Sequence, residues 1–341
     1  MKALKQVEST VMQQPSSSSK PRLSVIIVSY NTRAMTLDCL RVLDEELRAS
    51  RLHDSSEIWV VDNASSDGSA DAVREQFPAV RVIDNPTNAG FGAANNLALK
   101  QAAGEYFLLL NSDAFPKPGA IGTLVKYADA HPDVAVVGPK LLNADGSLQV
   151  SCWKFPSPTR VWLENLGLAA LLPRHAFVGD YFRWPHDTER TVDFVVGACM
   201  LVRRSTYEKV GGFDENFWMY AEETDWQRRM TDAGGRIVFI PAAKVTHLGG
   251  ASGAGSTRVN QAFWDSLDLY GRKHHGLGGL FSQRVARFIG SLVRALMFTV
   301  LSASVPNRKS RTWPKARLHW WLAARQITRR HPSKSATGGN S

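Results

Sequence analysis

Residues 271–341 contain no aspartate or glutamate. The same stretch carries 14 Lys/Arg, a formal charge of +14, while residues 1–270 hold 27 Lys/Arg against 31 Asp/Glu, a formal charge of −4. A mildly acidic body with a wholly basic tail points to an anionic partner, either a membrane surface or nucleic acid. Cysteine is also scarce. Cys39, Cys152 and Cys199 are odd in number and far apart. That spacing excludes a zinc-binding cluster and a disulfide framework, and it suits a reducing cytosolic compartment. Residues 1–20 lack an apolar run and hold a Gln-Gln-Pro-Ser-Ser-Ser-Ser-Lys stretch, so they read as a disordered lead-in rather than a signal peptide. The uninterrupted apolar part of the tail, Ala295–Val305, is too short to span a bilayer. No internal repeat is visible.

What is present is an alternation of strands and helices. Leu23–Ser29, Glu57–Val61, Val80–Ile83, Tyr106–Leu110 and Val134–Gly138 are short apolar runs of the kind that form buried parallel strands. Between them lie helical patterns, such as 34–49 with Leu37, Leu40, Leu43 and Leu47 on one side, then 69–77, 93–103 and 118–130. Asn88–Gly92 reads as a Gly/Asn-rich turn. Residues 140–192 are irregular, Val192–Arg203 is strand-like, 222–233 is helical and Ile237–Ile240 is a short strand before a Gly/Ser-rich loop at 249–257. This alternation predicts an α/β fold with a mostly parallel sheet, whose ligand site lies beyond the carboxyl ends of the strands. The tail continues with helical periodicity over 284–305, interrupted by Arg287 and Arg294. Trp313, Leu318, Trp320, Trp321, Leu322 and Ile327 then lie among Arg and Lys over 313–330. Basic helices with interfacial tryptophans lie in membrane surfaces. The alternative is that they pack on the body or on a second copy of the chain. Apolar interleaving favours lipid over nucleic acid, although it would also suit stacked bases.

Four clusters carry candidate chemistry. Ser29-Tyr30-Asn31 ends the first strand, where the aromatic ring suits either a nucleobase or ordinary packing. Asp62 ends the second strand, where a carboxylate can accept the imide N–H of uracil or thymine. The following Asp67-Gly68-Ser69 suits a helix cap. Asn111-Ser112-Asp113 ends the very apolar fourth strand. An acid there suits a hard divalent cation that also takes diphosphate oxygens. Tyr220-Ala-Glu-Glu-Thr-Asp225 places three acids at a helix start, which the helix dipole favours in any case. Glu222 and Asp225 share a face and Glu223 points elsewhere, so Glu223 can act as a general base while the other face holds structure. His247 is a fifth element, able to ligate a cation or touch a phosphate.

Together and in this order, these segments resemble the inverting family 2 glycosyltransferases of the GT-A fold. The signature runs through Ser-Val-Ile-Ile-Val-Ser-Tyr-Asn (24–31), Val-Val-Asp-Asn-Ala-Ser-Ser-Asp-Gly-Ser (60–69), Asn-Pro-Thr-Asn-Ala-Gly-Phe-Gly-Ala-Ala-Asn-Asn (85–96), Leu-Leu-Asn-Ser-Asp (109–113) and Gly-Gly-Phe-Asp-Glu-Asn-Phe (211–217). The resemblance covers about residues 22–250 and is nearest to the bacterial rhamnosyltransferase-like branch. It implies a GT-A α/β fold with a mostly parallel central sheet flanked by helices, followed by a basic amphipathic helical extension. The implied donor-binding residues are Ser29, Tyr30, Asn31, Asp62, Asn88, Gly90, Phe91, Gly92, Asn95, Asn111 and Ser112. Asn88–Asn95 would be a loop closing over the donor, with Gly90 and Gly92 allowing tight turns. Asp113 would hold Mg2+ or Mn2+ with His247. Asn111 replaces the first acid of the family's Asp-x-Asp motif. Gly212, Phe213, Asp214, Trp218, Glu222 and Asp225 would contact the acceptor, with Trp218 able to stack on an acceptor sugar. Glu223 would be the base, at a position where the family more often has Asp.

The implied reaction moves L-rhamnose from dTDP-β-L-rhamnose to a GlcNAc-diphosphate-polyprenol at the cytoplasmic face of the bacterial membrane, in cell-wall or surface polysaccharide assembly. UDP-galactofuranose, UDP-galactose or UDP-glucose is the alternative donor. The Gln-x-x-Arg-Trp motif of processive relatives is missing, as Trp226-Gln-Arg-Arg does not match it, which points to one sugar per encounter. Ser-Tyr-Asn-Thr-Arg after the first strand argues against a nucleotidyltransferase of similar fold, and a non-catalytic carbohydrate- or membrane-binding module is the remaining alternative. The expected organisation is a lead-in (1–20), a catalytic domain (21–270, divided near 138 into donor and acceptor halves), a membrane-associating region (271–330) and a flexible tail (331–341).

Overall fold

The structure is a computed structural model and describes residues 20–168, 184–249, 257–304 and 309–328. The lead-in, the end of the tail and most of the 249–257 loop lie outside the described residues. Of the described residues, those up to Lys154 and from Pro185 to Ala262 form one compact unit. Phe155–Trp184 and the residues from Phe263 onward form another.

The first unit is built on one large sheet. Strands β1 (Leu23–Ser29), β2 (Ser56–Asp62), β3 (Arg81–Asp84) and β4 (Tyr106–Asn111) lie in the order β3-β2-β1-β4, all parallel. Helix α1 (Arg33–Ala49) connects β1 to β2, α2 (Ser69–Gln76) connects β2 to β3, and α3 (Phe91–Leu99) carries the chain back across β1 to β4. That reversal on either side of β1 is where open α/β sheets bind ligands. The sheet continues from β4 through β11 (Cys199–Arg203), β6 (Val134–Leu142) and β12 (Arg236–His247) to β5 (Ala114–Pro116). Strand β11 is antiparallel to both neighbours, β12 is parallel to β6, and β5 is antiparallel to β12. The sheet is buried because its strands read as continuous apolar runs: Val25, Ile27, Val60, Leu108, Leu110 and Leu201 are all at most 2% exposed. One side packs on Leu37, Leu40, Leu43 and Leu47 of α1 and on α4 (Ala120–Ala130). The buried carboxylate of Glu46 on α1 caps α4, accepting the backbone N–H of Gly119 (2.7 Å) and of Ile121 (2.9 Å).

Several boundaries differ from the sequence reading. The strand expected over Ile237–Ile240 runs on to His247, because an irregularity between Ile240 and Lys244 absorbs Pro241 and lets pairing with β6 resume. His247 is therefore a strand residue. The turn expected at Asn88–Gly92 is shorter, since Phe91 and Gly92 already belong to α3. Within the stretch expected to be irregular, β7 (Leu148–Gln149) pairs with β6, β8 (Cys152–Trp153) pairs with β10 (Phe194–Val195), and β9 (Arg190–Thr191) pairs with β12. The helix α2 begins after Gly68, and Asp67 Oδ1 accepts the N–H of Ser69 (3.1 Å).

The second unit contains α5 (Pro158–Asn165), most of α8 (Thr257–Ser304) and α9 (Lys309–Thr328), once α6 (Arg204–Val210) and α7 (Glu222–Asp232) are counted in the first. Helix α8 is broken at Gly276, whose φ is 66°. Arg287 and Arg325 are buried against Asp268 and Asp265, and their guanidinium carbons lie over the Trp264 ring at 6.0 and 5.8 Å. Leu277, Phe281, Val293, Leu296, Met297 and Val300 of α8, and Trp313, Leu318, Trp320, Trp321 and Ile327 of α9, are exposed. The tail's apolar stretch is longer than expected. Within α8, Gln261–Ser304 is long and apolar enough by length and composition to cross a membrane.

Candidate active site

Strand register brings the first three clusters to one edge of the sheet. Ser29 of β1 lies opposite Asp62 of β2, and Val28 lies opposite Asn111 of β4. His247 arrives from the far end of the sequence by the pairing of β12 with β5, which sets it opposite Ala114, next to Asp113. Its Nε2 is 3.3 Å from Asp113 Oδ1 and 3.4 Å from Asn111 Nδ2. The backbone closes the same corner: Leu248 N–H donates to the Asp113 carbonyl at 3.1 Å. One carboxylate and one imidazole side by side, both nearly buried, suit a divalent cation that takes its other ligands from a diphosphate and water. The described residues contain no cluster of three or more His, Cys, Asp or Glu able to hold a metal.

Asp62 is 6% exposed. Its Oδ2 accepts the Ser65 N–H (3.0 Å), and its Oδ1 is buried with no hydrogen-bond partner. A buried carboxylate oxygen left without a donor is costly, which makes it an acceptor for a ligand N–H. Tyr30 is half-buried and follows Ser29, which lies opposite Asp62, and Asn31 (φ 52°) holds the two loops together by accepting the Ser66 N–H at 2.8 Å. Ser29 and Ser112 are buried in a hydroxyl cluster with Thr32 and Thr36, all within 3.1 Å of a neighbour. They tie the ends of β1 and β4 together.

The Asn88–Gly90 loop and the segment around Trp218 meet at the start of α3. Gly90 has a φ of 89°, and a Cβ there would lie 1.9 Å from the Trp218 carbonyl oxygen. Phe91 N–H donates to that carbonyl (3.2 Å), and the Trp218 indole N–H donates to the Asn88 carbonyl (3.3 Å). The side chain of Asn88 accepts the Gly90 N–H at 3.1 Å, and the amide of Asn95 donates to the Phe91 carbonyl within the helix. Gly92 leaves room for Phe213 and Glu222. Phe213 meets Phe91 edge-on and packs on Trp226. Asp214 accepts the Asn216 N–H at 3.0 Å, and the Gly212 carbonyl accepts from Arg229 at 2.6 Å.

The start of α7 is unusual in its backbone. Tyr220 (φ 67°) and Ala221 (φ 60°) are both left-handed without being glycine, a strained arrangement that persists where surroundings enforce it. Directly after them, Glu222 is buried and Glu223 half-buried, each with a buried Oε2 that has no hydrogen-bond partner. Burial raises the pKa of both, and for Glu222 the charge of Glu223 adds to the rise. Backbone N–H groups of Glu223 and Thr224 offset part of the effect on Glu223. Gly197 lies against the Glu223 side chain and precedes Ala198, whose carbonyl accepts the Asn111 N–H (2.9 Å), so Glu223 stands near the end of β4, two residues before Asp113. Asp225 is fully buried and paired with Arg229 (3.0 Å), which also reaches the Val210 carbonyl (2.8 Å). Gln227 anchors the helix by exchanging two hydrogen bonds with the Val195 backbone.

Three contributors carry no signal in the sequence because their partners are far away along the chain. Asn63 joins the end of β2 to the 85–90 loop through Asn85, Asn88 and Ala89. Asn96 exchanges two hydrogen bonds with the Phe213 backbone, each 2.9 Å. Gln149 Oε1 lies 2.7 Å from His247 Nδ1.

Comparison with known proteins gives a consistent picture. The glycosyl transferase family 2 domain matches residues 24–211, and a domain described as the N-terminal domain of galactosyltransferase matches residues 180–249. An N-acetylglucosaminyl-diphospho-decaprenol L-rhamnosyltransferase of Mycobacterium tuberculosis is 33% identical over 202 residues, which is 56% of this chain and 66% of that protein. The rhamnosyltransferase WbbL of Escherichia coli is 29% identical over 168 residues, 46% of this chain and 60% of its own. Among solved structures, the mannosyltransferase PcManGT from Pyrobaculum calidifontis, in complex with GDP-Man and Mn2+, superposes with a TM-score of 0.57 at 20% identity over 93% of this chain and 89% of its own. GalNAc-T7 with UDP, GalNAc and Mn2+ gives 0.51 at 13% identity over 77% of this chain and 52% of its own. These two likenesses establish the GT-A-like fold.

Proposed function

The chain belongs to glycosyl transferase family 2 and is a glycosyltransferase, and we propose that it transfers L-rhamnose from dTDP-β-L-rhamnose to a GlcNAc-diphosphate-polyprenol with inversion. The observation that carries the chemical part is the placement of Glu223, a half-buried carboxylate with a buried, unpartnered oxygen, against Gly197 near the end of β4, from which the chain turns to Asp113 and its neighbour His247 of β12.

Asp62 receives the imide N–H of thymine on its unpartnered Oδ1, and Tyr30 lies along the base. The Asn88–Asn95 segment and Asn111 line the donor. Asp113 and His247 would hold Mg2+ or Mn2+, which neutralises the diphosphate as it leaves. Glu223 takes the proton of the attacking acceptor hydroxyl. Its raised pKa brings its basicity closer to the working pH than that of an exposed carboxylate, which is what a general base needs. Gly212–Asp214, Trp218 and Glu222 form the acceptor side. Trp218 already spends its indole N–H on the donor loop, so it couples the two half-sites while offering its ring face to a sugar. Asp225, fully buried, supports the acceptor side through Arg229.

Rhamnose is supported by the names of the two relatives above, and the lipid acceptor by that of the mycobacterial one. Galactose from UDP is the second reading, favoured by the galactosyltransferase domain match at 180–249. That segment covers the acceptor side and the end of β12, not the base-recognising Tyr30 and Asp62, so rhamnose remains the first choice. The exposed apolar and basic surfaces of α8 and α9 hold the protein peripherally on the cytoplasmic face of the membrane, where the acceptor resides.

A donor screen tests this reading, using purified protein, Mg2+ or Mn2+ and a short-chain lipid-diphosphate-GlcNAc. Turnover with dTDP-rhamnose and not with UDP sugars is expected. Turnover with UDP sugars alone would overturn the choice of donor.

A further inference from the structure

His247 has two ring nitrogens, and only one of them can face a cation. Which nitrogen carries the proton is decided by a line of hydrogen bonds that begins outside the site. Strands β6 and β7 form a hairpin closed by Asn143 N–H to the Ser147 carbonyl (2.9 Å) and Gly146 N–H to the Asn143 carbonyl (2.9 Å). The Asn143 side-chain amide donates to the Leu148 carbonyl (3.4 Å), which can only accept, and lies 2.9 Å from Ser147 Oγ. Its Oδ1 therefore points the other way and accepts from Gln149 Nε2 at 3.0 Å. The same Gln149 nitrogen donates to the His247 backbone carbonyl at 3.3 Å, a second group that can only accept. Turning either amide over would set oxygen against a carbonyl oxygen. Gln149 Oε1 thus has a fixed orientation, and it meets His247 Nδ1 at 2.7 Å. An amide oxygen cannot donate, so Nδ1 carries a proton, which leaves Nε2, 3.3 Å from Asp113 Oδ1, as the nitrogen a cation shared with Asp113 would take.

We infer that Gln149 is a positioning residue for metal binding: by accepting the Nδ1 proton of His247 it presents the unprotonated Nε2, oriented towards Asp113, to the divalent cation. The inference rests on the reading of Asp113 and His247 as the metal pair. Partners of this kind commonly tune a metal-bound imidazole through its second nitrogen, and losing one weakens metal binding about 10- to 100-fold. Gln149 lies on a half-buried strand of a hairpin, so its side chain can be changed without opening the core.

The test compares the full-length protein with Gln149→Leu and Gln149→Glu. Mn2+ binding is followed by the loss of the free-ion EPR signal in the presence of dTDP. Gln149→Leu is expected to weaken Mn2+ about 10- to 100-fold, whereas Gln149→Glu, whose carboxylate accepts the same proton, stays within about threefold of the wild type. Long-range 1H–15N spectra of 15N-histidine-labelled protein with Mg2+ and dTDP show which ring nitrogen keeps its proton, with His247→Gln assigning the signal. The Nδ1–H form with Nε2 on the cation is expected in the wild type and in Gln149→Glu, and its share should fall in Gln149→Leu at the same Mg2+ concentration. An Nε2–H form in the wild type, or unchanged Mn2+ affinity in Gln149→Leu, overturns the inference. His247→Ala and Asp113→Asn separate it from the reading beneath it. If they too leave Mn2+ affinity unchanged, the metal pair is wrong and Gln149 has no such role. If they abolish binding while Gln149→Leu does not, only the role of Gln149 falls.

Discussion

At the scale of single residues, the start of α7 carries the largest chemical demand. Glu223→Gln keeps the shape and removes the base. A general base contributes about 10²- to 10⁴-fold, so kcat should fall in that range while the KM for the donor stays near the wild-type value. An equal loss in donor affinity would instead make Glu223 a donor-binding group. The neighbouring Glu222 gives a stability prediction. Burial and the charge of Glu223 raise its pKa in the folded protein, so the folded state binds the proton more tightly than the unfolded chain. Its contribution is full below the unfolded carboxylate value of about 4.3 and is lost as pH rises through the folded value. Glu222→Gln should therefore stabilise the protein at neutral pH and flatten the decline in stability between those two pH values. Denaturant melts at a series of pH values would show it, and a variant less stable than wild type at neutral pH would contradict the sign.

At the scale of elements, two local devices can be broken singly. Glu46 on α1 satisfies two N–H groups at the start of α4 from a buried position. Glu46→Ala leaves those donors unsatisfied and should cost about 2 kcal/mol, read as a lower urea midpoint at unchanged slope. Gly90→Ala must hold a positive φ and push against the Trp218 carbonyl. Strain of about 1–3 kcal/mol is expected, together with a weaker donor complex because the loop carrying Asn88 has to shift. Unchanged donor affinity in a folded Gly90→Ala protein would detach that loop from the donor site.

The same scale shows what the sequence could reveal. Strands β1, β2 and β4 are legible because both of their faces are covered, so nearly every residue is apolar. Strand β5, three residues long, has no pattern of its own and exists through its pairing with β12. The second half of β12 is hidden by Pro241 and two alanines, which read as an ending until β6 supplies a partner beyond them. In the site, Asp62, Asp113 and Glu223 are legible because each follows or opens an element with a clear periodicity. Asn63, Asn96 and Gln149 are ordinary polar residues until the fold brings Asn88, Phe213 and His247 to them, and no local spacing encodes that.

For the whole molecule, the split between an acidic body and a basic C-terminal stretch is the organising feature. Helices α8 and α9 expose leucines, phenylalanine and tryptophans among their arginines and lysines, a surface suited to lipid headgroups. Flotation with anionic vesicles should carry the intact chain, with binding falling as salt is raised and lost on removal of residues 271–341. Resistance to extraction by high salt and alkaline carbonate would mean instead that α8 inserts, which its length and composition permit. A truncated chain that still floats would place the lipid contact elsewhere.

The central claim is a direct, inverting displacement with Glu223 as base, and the anomeric configuration of the product tests it most directly. With dTDP-β-L-rhamnose and a short-chain lipid-diphosphate-GlcNAc, the glycosidic carbon of the isolated product, read by NMR, should be α-configured. A β-rhamnosyl product would contradict the account.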